Sequence, residues 1–257
     1  MIMENILLII GFIIIILLVV LLFRSKGVTV AIPEACKPAE EIPEESPVQH
    51  DPVERCKDNV NSTIISTAKE YYLVLDALLK GDTRRVEQSI SSIAELNRRT
   101  KGMKREIPSV IRALEEDKIE NGPYYVQVLD YLRESVHNLS YVARPIHEYL
   151  IPGNHTLLPE QKQELSGLNE DISEFYNFII NLLKGGKFDQ LIEIIEKQQV
   201  ILLLLSQINK KQLKRMKKGE SGTRISMLYI DVLSETKNML LNTVNILKSQ
   251  RDFILNQ

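Results

Sequence analysis

A chain of 257 residues, with 11 Gly, no Trp and 44% hydrophobic residues, has room for one large domain or two small ones. Lys and Arg number 32 against 34 Asp and Glu, and the formal charge of -2 excludes an overall basic nucleic-acid binder. The long segments between Gly and Pro carry helical rather than alternating patterns, so the expected class is all-α.

Residues 6–23, ILLIIGFIIIILLVVLLF, carry no charge and no hydrogen-bonding side chain. As a helix they span roughly 27 Å at about 1.5 Å per residue, which matches a bilayer core. The leading MIMEN holds no Lys or Arg, and the run exceeds the ~7–15 residues of a signal-peptide core, so the expectation is an uncleaved anchor over 1–26. Arg24 and Lys26 follow the run and no basic side chain precedes it. The positive-inside rule then predicts a single-pass protein of the bacterial inner (cytoplasmic) membrane whose C-terminal domain is cytoplasmic. Prolines 33, 38, 43, 47 and 52, separated by Glu, Ala and Ser, make 27–52 an extended acidic linker that cannot hold a helix. Cys36 and Cys56 show no metal-ligand spacing and suit a reducing compartment; His50 is equally isolated.

Residues 53–257 divide into six helical segments. The first stops at Gly81, and the second starts on Asp82 as N-cap and runs to about residue 120, kinked or divided by Pro108. Asn121-Gly122-Pro123 announces the third, which closes at Pro152-Gly153. A fourth begins with Pro159 and ends at Gly185-Gly186, a fifth covers 187–218, and a sixth covers about 221–253.

The third segment, 123–150, is the most informative. Leu129, Leu132, Val136, Leu139, Ala143, Ile146 and Leu150 recur at three- and four-residue steps, so they form one buried stripe. Asp130, Glu134, His137 and Asn138 form a polar column beside it. Much of this recurs about a hundred residues later. Leu129-Asp130-Tyr131-Leu132-Arg133-Glu134 echoes as Ile230-Asp231-Val232-Leu233-Ser234-Glu235, and Leu78-Leu79-Lys80-Gly81 echoes as Leu182-Leu183-Lys184-Gly185. The reading is two tandem three-helix bundles, 53–151 and 159–255, whose third helices occupy equivalent places. In the sixth helix Asp231, Glu235 and Asn238 make the polar column, and Ile230, Leu233, Leu240, Val244 and Leu247 the apolar one.

Carboxylates at i and i+4 on two helices, Asp130 with Glu134 and Asp231 with Glu235, are candidate oxygen ligands for a hard cation; the plainer reading is a solvated helix face. Two basic clusters lie toward helix C-termini, where the dipole favours cations. One holds Arg98, Arg99, Lys101, Lys104 and Arg105; the other holds Lys210, Lys211, Lys214, Arg215, Lys217 and Lys218. The second cluster, with Arg24 and Lys26, is the candidate contact with membrane lipid or a membrane partner. No Ser-His-Asp order, Cys-His pair, phosphate-cradling glycine loop or HExxH helix is present, and the expectation is that the chain is not an enzyme.

Tandem three-helix units with an acidic motif on each third helix resemble the PhoU-like family, the helical regulators of phosphate uptake. The stretches YYVQVLDYLRESVHNLSYVARP and SGTRISMLYIDVLSETKNMLLNTVNILKSQRDF look like the cytosolic PhoU-like region that follows the membrane body of long Pit-type inorganic phosphate permeases. The resemblance covers roughly residues 55 to 254. It implies a regulatory cytosolic module of inorganic phosphate transport. Taken with the anchor, the expectation is a membrane-anchored regulatory or accessory module that docks on a phosphate transporter or another membrane protein, with membrane lipid and a second copy of the chain as the other candidate partners. The resemblance also implies a divalent or ferric metal ion held by an acid followed four residues later by Asp. Here Glu134 is followed by Asn138 and Glu235 by Met239, poor substitutes on a hard cation, whereas Asp130 with Glu134 and Asp231 with Glu235 retain two acids each. One transmembrane helix cannot form a transport pathway. The alternatives are a tethered helical scaffold unrelated to phosphate, or a detached C-terminal part of a permease.

Overall fold

The computed structural model describes residues 51–151, 157–185 and 188–256. The expected anchor and linker, with Arg24, Lys26, Cys36 and His50, lie outside the described residues. Among the described residues no helix is long and apolar enough to cross a membrane.

Helix α1 (Pro52–Lys80) opens on Asp51, whose carboxylate accepts the Val53 N–H at 3.1 Å, with Pro52 in the first turn where its missing N–H costs nothing. It starts one residue before the expected boundary. It stops at Gly81, whose φ of 70° only glycine adopts without a Cβ penalty. Asp82 then caps α2 (Thr83–Met103) by accepting the Arg85 N–H at 3.1 Å. The expected division at Pro108 is present: a 3-10 turn (Lys104–Glu106), the short helix α3 (Ile107–Ala113) with Pro108 in its first turn, and a second 3-10 stretch (Glu116–Asn121). After α4 (Gly122–Leu150) come α5 (Pro159–Gly185), a 3-10 turn (Phe188–Gln190), α6 (Leu191–Lys217) and α7 (Thr223–Leu255).

All seven members of the predicted α4 stripe, Leu129, Leu132, Val136, Leu139, Ala143, Ile146 and Leu150, are buried. In α7 Leu233, Leu240, Val244 and Leu247 are buried as expected, and Ile230 is half-buried. These stripes meet each other. The most extensive helix contact in the chain is α4 against α7, with α1–α2–α4 forming one three-helix group and α5–α6–α7 the other. Asn121 reaches the backbone of Asn256, Gln127 meets Ser249 and Asn138 meets Asn242, so α4 and α7 run antiparallel. α1 also packs on α5, so the first helices of the two halves meet as well. All described residues belong to one compact unit, Val48–Gln257.

Buried tyrosines cross between the halves. The Tyr71 hydroxyl of α1 bonds Thr236 of α7 at 2.8 Å, and the Tyr176 hydroxyl of α5 lies beside Ser135 of α4, the position in α4 that Thr236 holds in α7. Tyr176 also meets Thr243 at 3.0 Å. Burial pushes both phenols up, Tyr176 to about 12, so they remain neutral hydrogen-bonding groups. Tyr71→Phe is expected to cost about 0.5–1.5 kcal/mol in urea unfolding, and no change would show that the crossing bond contributes nothing. Cys56 is fully buried and free, its thiol pushed up to about 12 by burial, first of all by loss of water.

Candidate functional site

The polar columns of α4 and α7 meet as a hydrogen-bonded seam. Asn138 Nδ2 donates to Glu235 Oε2 at 2.8 Å, Asn242 Nδ2 donates to Asn138 Oδ1 at 2.9 Å, and Asn238 Nδ2 donates to the same Glu235 oxygen at 3.3 Å. One carboxylate and three amides thus clamp the two halves together. An amide fits here because it donates to Glu235 and accepts from Asn242 in one place.

The four expected carboxylates do not converge on one point. Asp130 pairs with Lys104 of the first basic cluster, Glu134 sits 3.3 Å from Arg133, Asp231 is exposed, and Glu235 is held in the seam. Among the described residues no three His, Cys, Asp or Glu side chains come together as a metal-holding group, so the four-carboxylate cage is not assembled. Met239, at the position where the resembling family carries Asp, is 1% exposed. In α7 the polar column continues through Asn238 and Asn242, while Met239 is buried in the core beside Leu240. His137 lies outside the seam, edge-on to Tyr141 at 5.0 Å between centroids.

A second polar centre closes the end of the second half, where α5 and α7 begin and α6 ends. Arg215 holds Glu164 through two bonds, 3.2 and 2.7 Å, and Tyr229 donates to the same carboxylate at 2.6 Å. The Arg215 and Glu164 side chains are only 11% and 12% exposed. Beneath them Gln161, Gln212 and Ser226 are fully buried; Gln161 and Gln212 are joined at 2.9 Å, and Gln212 bonds Ser226 at 2.9 Å. Burial works to raise the Glu164 carboxyl, but the bonds from Arg215 and Tyr229 and the charges of Arg215 and Lys211 outweigh it and hold it below its ordinary value. Burial and the Glu164 charge push the Tyr229 phenol up, so it stays a donor.

Arg215 therefore departs from its expected place among outward contacts: it faces inward, because α6 puts it beside Gln212 on the flank that meets α5 and α7. Lys211 lies 3.6 Å from Glu164 and Lys218 lies 3.4 Å from Glu220. Lys210, Lys214 and Lys217 are exposed, with no carboxylate within ion-pair distance among the described residues. A shallow recess of ≈ 630 Å³ lies over the Arg215–Glu164 pair, lined also by Lys211, Lys214 and Lys218.

Sequence reasoning missed this centre, although a signal was present. Gln161 stands in step with Leu165, Leu168 and Ile172, and Gln212 in step with Ile201, Leu205 and Ile208, so each amide occupies a core position of its helix. A polar group in an apolar stripe must find a partner there.

Fold and seam define an all-α chain of two three-helix bundles joined across their third helices. Its structure is similar to that of the phosphate transport system regulatory protein PhoU from Streptococcus pneumoniae, with a TM-score of 0.67, over 80% of this chain and 96% of that one. The two are 11% identical, so what they share is the fold. No protein-family model and no curated protein matches the chain.

Proposed function

We propose that the chain is a regulatory or accessory module of inorganic phosphate transport, held to the cytoplasmic face of the membrane by residues 6–23 and acting by docking on a phosphate transporter. The observation that carries this reading is the paired-bundle fold, which matches almost the whole length of a phosphate-transport regulator. The narrower likeness to the cytosolic region of Pit-type permeases belongs to the same proposal. The 18-residue apolar run, followed by Arg24 and Lys26, supports the anchor and its orientation.

The seam bears on how such a module would work. With Glu235 satisfied by Asn138 and Asn238, the joint between the halves is held by hydrogen bonds. Docking by a rigid surface therefore fits the chain better than a switch that turns on cation occupancy.

Deleting the chain in its source organism tests the function through uptake of labelled phosphate. The expected result is an altered uptake rate, together with loss of the difference between phosphate-replete and phosphate-starved cells. Unchanged uptake in both conditions contradicts the proposal.

A further inference from the structure

Helix α6 packs on α5 and α7 and leaves one side facing outward. On its C-terminal half that side carries Leu203, Lys210, Lys214 and Lys217, spaced seven, four and three residues apart and hence on one line of the helix. Val200 and Leu213 flank the line. Val200, Leu203 and Leu213 are 66%, 65% and 50% exposed. The three lysines lack carboxylate partners among the described residues, whereas the neighbouring Lys197, Lys211 and Lys218 each have one.

We propose that this face, residues 200–217 of α6, seats on the headgroup layer of an anionic bilayer. An acidic protein surface would suit the lysines and leave the leucines wet, and an apolar protein groove would do the reverse. A bilayer interface takes both, since apolar side chains enter the acyl boundary while lysine stems lie along it and their ammonium groups meet phosphates. The acids on either side mark the limits of the face. Glu193 and Glu196 occupy the N-terminal turns of α6, and Asp171 and Glu174 of α5 line a recess on the Val200 side. The inference rests on the membrane-anchored reading for its geometry, because the anchor and linker keep the domain within reach of the lipid. It adds a second contact, made by the domain itself.

The test uses the full chain with Cys36→Ser and an environment-sensitive fluorophore on Gln207→Cys, an exposed position on the same side; the native Cys56 is 0% exposed and stays unlabelled. Vesicles contain either neutral lipid alone or neutral lipid with phosphatidylglycerol. The expected result is a blue shift and quenching by lipid-borne quenchers in anionic vesicles only, both lost at high salt. A control label on Ser91→Cys of α2 stays solvent-like. Reversing Lys210, Lys214 and Lys217 to Glu weakens the contact on the order of a hundredfold or more, at roughly one lysine's attraction to the surface for each charge removed.

The proposal is overturned if the label remains solvent-like in anionic vesicles, or responds equally to neutral ones. It is likewise overturned if the label shifts only when a transporter is co-reconstituted, since the face is then a protein-docking surface. Retention on neutral vesicles after an alkaline wash reads the anchor separately, so loss of one reading does not hide the other.

Discussion

Glu164→Ala is expected to lower the unfolding free energy by about 1.5–3 kcal/mol, the worth of hydrogen bonds to a charged group in a part-buried ion pair. Arg215 would keep a side chain that is 11% exposed and lose both bonds to the carboxylate, and Tyr229 would lose its acceptor. Chemical unfolding of the detergent-solubilised chain reads the loss. Glu164→Met combined with Arg215→Leu removes both charges and should recover most of it, because the penalty comes from the orphaned guanidinium. A loss well below the range in the single variant would mean that water already reaches the pair. The same carboxylate sets a pH dependence. Its folded value lies below the ordinary 4.5, so its contribution is complete above the ordinary carboxylate range and fades as pH falls through the depressed folded value. The stability gap between wild type and Glu164→Ala should therefore hold at neutral pH and narrow in acid.

Asn138→Asp has the next largest expected effect and bears on the metal question. The amide that now donates to Glu235 at 2.8 Å would be replaced by a second carboxylate at that distance, and two such charges cannot both ionise there without penalty. Stability at neutral pH should fall by about 1–3 kcal/mol through the lost bond and the unsatisfied groups it leaves. Part of that loss should return on acidification, as one of the two carboxyls takes a proton. Divalent or ferric cation should also restore it, by about 2.7 kcal/mol at a concentration a hundred times its dissociation constant. Wild type, with Asn138 in place, should respond far less to the same cation in a thermal melt. A variant as stable as wild type and indifferent to metal would show that the seam does not depend on the amide.

What was legible in the sequence was set by local spacing. The α4 stripe, the Gly81 stop, the Asp82 cap and the Pro159 start each depend on residues within a turn or two of one another. The equivalence of α4 and α7 was also legible, because two helices that bury the same face against each other keep the same pattern. Partner choice across the chain was not. Glu164 and Arg215 are 51 residues apart, and the only local mark of either is an amide in the apolar stripe one turn earlier, Gln161 and Gln212, which does not say which cation meets which acid. Within the run from Lys210 to Lys218, the cation that turns inward differs from its neighbours only in helical phase relative to Gln212. The four acids had spacing suited to a cation cage, yet Lys104 takes Asp130 and Asn138 takes Glu235, and both neighbours come from other helices.

Co-purification of the chain from its own membranes in mild detergent tests the central claim most directly. If the paired bundles act by docking, an inorganic phosphate transporter should be recovered with the full chain and should persist through washing. Recovery of the chain without any phosphate transporter, from phosphate-starved and phosphate-replete cells alike, would contradict the account and leave the fold without the function proposed for it.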